Sequence, residues 1–148
     1  MFEKLNQLLK ENIKNEVFLS AGIKVEAIES AGHDASGVII DVLKSQLENG
    51  KANDLMSFFR GKKAESDLLF SMMVNKYANR LNKYYTITSS DAKELAGMII
   101  PNVMNLFVGQ ANTDKNEEKW IFAILNWLSG YTVNFEEFFL KMNRLQMV

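Results

Sequence analysis

Cysteine is absent from this 148-residue chain, histidine and proline occur once each, and neither sign of charge dominates. Without thiols there is no cysteine nucleophile, no thiolate zinc site, no iron–sulfur ligation and no redox switching. His33 is the sole imidazole, so any triad built on histidine has to use that residue. The 17 basic and 18 acidic side chains leave a formal net charge of −1 and an isoelectric point near 5.9. A nucleic-acid-binding domain carries a basic stripe or an isoelectric point above about 9, so nucleic acid is not an expected partner. Gly-x-Ser-x-Gly and glycine-rich phosphate loops are also missing, which removes the commonest serine-nucleophile and nucleotide signatures. Neither internal repeats nor low-complexity tracts mark a linker.

The amino terminus, Met1 to Asn6, has neither the basic segment nor the apolar segment of a secretory signal, and a cytoplasmic setting is expected. The longest uncharged run, Leu95 to Thr113, has 19 residues, the length of a membrane span. It is interrupted by Pro101, Asn102, Asn105, Gln110 and Asn112. With Asn102, Asn105 and Asn112 placed on one face and Leu95, Met98, Ile99, Val103 and Leu106 on the other, it reads as a helix packed on protein and not as a transmembrane segment.

What is present is a 47% hydrophobic, 24% charged chain, the proportions of one soluble globular domain. At this length a fold buries roughly 68–70% of its unfolded surface and needs no metal or disulfide staple. Apolar residues recur at helical spacing almost throughout, and no window alternates like a strand. The expected fold is all-α, a single compact domain over residues 1–148 with seven or eight helices, although 1–60 and 66–148 are also readable as two lobes.

The first helix is expected from Phe2 to about Lys10, burying Phe2, Leu5, Leu8 and Leu9, followed by an apolar knot at Val17, Phe18 and Leu19. A long helix from Val25 to Glu48 stops at Asn49-Gly50, and a short one from Asn53 to Arg60 stops at Gly61. Ser66 is expected to cap the next helix, which runs to Tyr84 with Leu69, Met73, Tyr77, Leu81 and Tyr84 on its main apolar face. Thr88 and Asp91 form a capping box for a helix kinked at Pro101. After a polar loop at 111–118 comes a helix to Leu128, stopped by Gly130. A last helix follows from Phe135 to Leu145, capped by Asn134 with Glu137, with Val133 and Phe138 as the staple pair.

Three clusters invite a chemical reading. Glu29 and His33, one helical turn apart, suit a metal or an oriented imidazole, and Asp34 and Asp41 lie nearby in sequence. Helical di-metal sites need two Glu-x-x-His copies, however, and there are none. Arg60, Lys62 and Lys63 form the one compact basic cluster, read either as cations complementing a helix C-terminus or as an anion or membrane-surface contact. Seven aromatics fall between Trp120 and Phe139. They read as ordinary core or as a protein interface, whose centres are enriched in Trp, Tyr, Phe and Met. The interface set is Trp120, Trp127, Tyr131, Phe135, Phe138 and Phe139. The carboxylate pairs Glu117-Glu118 and Glu136-Glu137 fall in first helical turns, where the macrodipole accounts for them.

The run Asn79-Arg80-Leu81, Tyr84 to Ala92, then Leu95 to Met104 around Pro101, resembles the centre of the YidB-like group of small bacterial helical proteins of unknown function. Ile39 to Leu43, Asn49-Gly50 and Leu55 to Phe59 are similar to that group's helix, glycine turn and short apolar helix. The likeness spans roughly residues 1–130, and the aromatic helix that follows departs from the glycine-rich ends of many relatives. It implies an all-α fold and a bacterial cytoplasmic setting, and it supplies no catalytic residues.

The leading expectation is a non-enzymatic helical protein that binds a protein partner or a second copy of itself through the C-terminal aromatics, with no cofactor. A second is a carrier of a small apolar molecule near Pro101, lined by Met72, Met73, Met98 and Met104. A third is an enzyme using Glu29 and His33, with or without a metal.

Overall fold

A computed structural model describes the backbone of residues 1–112 and 117–146, and their side chains except those of 64, 65, 111, 112, 117, 118, 139 and 142–146. The described residues form eight α-helices and no strand: α1 Phe2–Asn12, α2 Asn15–Ser20, α3 Ile28–Glu48, α4 Ala52–Phe59, α5 Lys63–Tyr84, α6 Ser89–Asn112, α7 Glu117–Leu128 and α8 Phe135–Gln146. The all-α expectation holds. A 3₁₀ turn, Val25–Ala27, precedes α3, so the long helix starts three residues later than its apolar spacing suggests.

The helices bury the faces their spacing marks. In α1, Leu5, Leu8 and Leu9 are buried, but Phe2 is exposed at the first turn and meets His33 of α3 edge-on, ring centroids 5.8 Å apart. In α2 only Phe18 is buried, and Leu19 of the expected knot faces solvent. The chain leaves α2 through Gly22 at φ 98°, where Ile23 donates to the Phe18 carbonyl at 3.1 Å. A side chain at Gly22 would strain the backbone and approach Ile87 to 3.3 Å, so this turn needs glycine on two counts. The expected stops at Gly50, Gly61 and Gly130 likewise have positive φ.

The centre is α5, packed against α3, α4 and α6. Leu69, Met73, Tyr77, Ala78 and Leu81 are buried along it, while Tyr84, at its last residue, lies beyond that cover and is exposed. Because α5 starts at Lys63, Ser66 is not its cap. The Ser66 hydroxyl instead donates back to the Lys62 carbonyl at 3.0 Å, the bond a serine makes inside a helix.

Thr88 performs its expected role, its Oγ1 accepting the Asp91 amide at 3.1 Å. The helix continues through Pro101, which lacks the amide that would bond Gly97. Helix α6 packs on both α1 and α5 and so buries a wide face that includes Leu95, Ile99, Ile100, Val103, Met104 and Phe107. Met98 and Leu106 are exposed, contrary to the expected stripe. On a wheel of 3.6 residues per turn Met98 and Leu106 flank the exposed Asn102 at about 40° on either side.

Helix α7 buries Ile121, Ile124, Leu125 and Leu128 against α3, α4 and α6, and α8 packs principally on α7. The expected loop at 111–118 overlaps residues outside those described. One apolar cluster draws on all eight helices, and helices on either side of residues 60–66 share it. Among the described residues no helix is long and apolar enough to cross a membrane.

Candidate functional site

The C-terminal aromatics divide into two groups. Trp120 is half-buried and packs its ring on Phe107, centroids 5.1 Å apart, and on Phe59 at 6.0 Å. Trp127 is half-buried beneath the Lys44 ammonium, which lies 5.6 Å from the ring centre. Phe135 is buried. Phe135 belongs to the chain's own core and the two tryptophans pack against it, because α7 meets α3, α4 and α6 and α8 meets α7. Of the other described aromatics Phe122 is half-buried against the core, while Tyr131, 74% exposed, and Phe138, 45%, face out, with Val133 at 39% and Leu140 at 54% beside them in sequence. Phe139 is placed within α8 but its side chain lies outside the described residues.

The turn presenting this surface is built by asparagines. Asn126 accepts the Phe135 amide on Oδ1 at 2.8 Å and the Tyr131 amide on its backbone carbonyl at 2.8 Å. Asn134 accepts the Glu137 amide at 3.2 Å, as its capping pattern predicts. Tyr131 itself has φ 62°. That conformation costs a non-glycine residue about 1 kcal/mol. The expected staple partners Val133 and Phe138 are both exposed, and the entry of α8 is held instead by Asn126 and buried Phe135.

The basic cluster is not one environment. Arg60 follows α4 and faces its C-terminal end, but Lys63 opens α5, where the macrodipole disfavours cations. Arg60 and Lys62 both adjoin the end of α4, where the Lys62 amide donates to the Ser57 carbonyl at 3.0 Å, whereas Lys63 is the first residue of α5. Glu29 and His33 are exposed, with 3.9 Å between carboxylate and imidazole. Among the described residues no three His, Cys, Asp or Glu side chains converge as metal ligands. The four methionines do not converge either: Met73 and Met104 are core, and Met72 and Met98 lie at the surface.

A polar seam between α3 and α5 has no local signature in the sequence. Asp34 accepts the Tyr85 hydroxyl at 2.6 Å and pairs with Arg80 Nε at 3.0 Å, and Tyr85 also meets the Ser30 hydroxyl at 2.8 Å. Asp41 lies 3.7 Å from Lys76, so neither aspartate joins Glu29. Beneath the seam, buried Tyr77 donates to the Ala31 carbonyl at 2.6 Å. Burial raises the Tyr77 phenol well above its ordinary value. Tyr85 is also raised, first by burial and then by its bond to Asp34. The partners here are about fifty residues apart in sequence, which is why helical spacing cannot find them. They fasten α5 to α3, a structural task.

No family model matches the chain, and no curated protein and no solved structure matches it either. The likeness to YidB-like proteins accordingly rests on the quoted residues alone.

Proposed function

We propose that the chain is a non-enzymatic helical protein that pairs with a second copy of itself, in a cytoplasmic setting, through α8 and the turn before it. One observation carries the reading: Tyr131, Val133, Phe138 and Leu140 are all exposed within ten residues, whereas the other exposed large apolar side chains are spread along the chain from Phe2 to Leu106. Exposed large apolar side chains concentrated in one segment are a feature of interaction surfaces. The interface is narrower than the six-aromatic set, since Trp120, Trp127 and Phe135 are spent on the core.

A second copy is the occupant because the helix is complementary to itself. Glu136 and Glu137 stand at its start, while Lys141 and Arg144 stand in its second half. Two copies related by a twofold axis place the acidic start of one beside the basic end of the other, and antiparallel macrodipoles favour the same arrangement. At 12 residues α8 is about 18 Å long. Two such helices cover less than the roughly 1,600 Å² of a standard interface, so the pairing is reversible and sensitive to concentration.

Sedimentation velocity of the full chain tests this. Dimer is expected to grow in over about 1–200 µM, and Phe138→Glu with Leu140→Glu to remain monomeric with unchanged helicity. Reversing Glu136 and Glu137 to lysine weakens the dimer, and reversing Lys141 and Arg144 to glutamate as well restores it. A parent chain that is monomeric throughout that range sinks the proposal.

A further inference from the structure

We propose a second site, independent of α8: the half-open cavity between α1, α2 and the first half of α3 binds a small monocarboxylate with a compact apolar body. The cavity is about 290 Å³, at the small end of the range for ligand pockets. Its lining is divided by chemistry. Leu9, Ile13 and Phe18 are buried and form an apolar floor, whereas Asn6, Lys10 and His33 bring nitrogen donors to the rim.

The donors are not equivalent surface groups. Asn6 is oriented by Ser36, a fully buried residue of α3 whose hydroxyl donates to Asn6 Oδ1 at 2.6 Å. With its oxygen occupied, the amide has Nδ2 left to donate. Lys10 has no ion-pair partner among the described residues. Glu29 is the single acid on the lining, and the His33 imidazole already lies 3.9 Å from it. An anionic head therefore belongs between Asn6 and Lys10, with the apolar body on the floor. Charge-assisted hydrogen bonds of this type are the strong ones.

Gly32 widens the same cavity. It lies within α3, where glycine is destabilising relative to alanine. No atom lies within 4 Å of where its Cβ would stand, as is also the case at Gly37, Gly97 and Gly109. The missing side chain leaves its volume to the cavity that Gly32 lines.

Calorimetric titration of the full chain with phenylacetate is the test, with 2-phenylethylamine as the same body bearing a cation. Phenylacetate is expected to bind saturably with Kd near about 1 mM, and the amine not at all. Chemical-shift changes should centre on Leu9, Ile13, Phe18 and Gly32. Lys10→Met weakens binding about tenfold or more. Gly32→Leu abolishes it while keeping or raising the thermal midpoint, because leucine is the better helix former and its side chain fills the cavity. If Gly32→Leu fails to fold, the exposed Lys10→Met change carries the decision. No saturation by about 20 mM phenylacetate, equal binding of both probes, or parental affinity in Lys10→Met overturns the proposal.

Discussion

Tyr77 and Tyr131 occupy opposite ends of one structural gradient. Tyr77 is fully buried midway along α5, its hydroxyl bonded to the Ala31 carbonyl. Tyr131, past the end of α7, stands in solvent on a left-handed backbone. The difference lies in the neighbours. Helix α5 is flanked by α3, α4 and α6, so its broad apolar surface is consumed within the chain, whereas α8 has α7 as its principal support. An aromatic midway along a helix covered on several sides becomes core, whereas one on the turn past a helix end, with little packed over it, stays at the surface.

The largest expected effect comes from cutting the link between the two. Phe59 is fully buried and meets Phe58, Phe107 and Trp120 edge-on, so one ring joins α4, α6 and α7. Phe59→Ala is expected to cost about 3–5 kcal/mol, through lost burial plus the cavity left behind. Chemical denaturation checks it. A loss below about 1 kcal/mol would mean that the two regions are not coupled through this ring.

Next comes a test of the centre alone. Tyr77→Phe removes the bond to Ala31 and is expected to cost about 1 kcal/mol at neutral pH. The alkaline limb has a definite sign. Burial raises the folded-state phenols of Tyr77 and Tyr85, so the folded chain holds those protons after the unfolded chain has lost them. Their contribution to stability is intact below about pH 10, the unfolded value, and is lost as pH rises toward the folded values. Tyr77→Phe should therefore lose less stability between about pH 9 and 11 than the parent does. Urea midpoints at both pH values decide this, and parallel declines would remove Tyr77 from the account.

How much of this was legible in the sequence follows from the range of each interaction. Caps and stops act over three or four residues, and Thr88, Asn134, Gly50 and Gly130 perform as their local patterns indicate. Helix faces were readable where one neighbour covers them, as for Leu5, Leu8 and Leu9. They were misread where two neighbours do, as on α6, and where a helix starts before its apparent cap, as at Ser66. The Asp34–Arg80–Tyr85 seam and the division of the C-terminal aromatics depend on which helices meet, and spacing along one helix holds no information on that.

The smallest effect separates the regions most finely. Asn126 is the joint of the C-terminal end: its side chain takes the first amide of α8, and its carbonyl takes both the Tyr131 amide and the Ser129 hydroxyl. Asn126→Ala removes only the side-chain bond, and a lost cap of this kind costs about 1 kcal/mol. If α8 opens independently of the centre, that cost is confined to it. Amide exchange in α8, measured in dilute protein, should then accelerate about fivefold while amides of α5 and α6 keep their parental rates. If all three helices accelerate together, α8 opens only with the whole fold, and the contrast between Tyr77 and Tyr131 is one of exposure without a difference in local stability. The first outcome has a consequence for self-association. A helix that opens alone is ordered at some cost when it pairs, so Asn126→Ala should also weaken the dimer by up to about fivefold even though Asn126 lies outside the proposed contact surface.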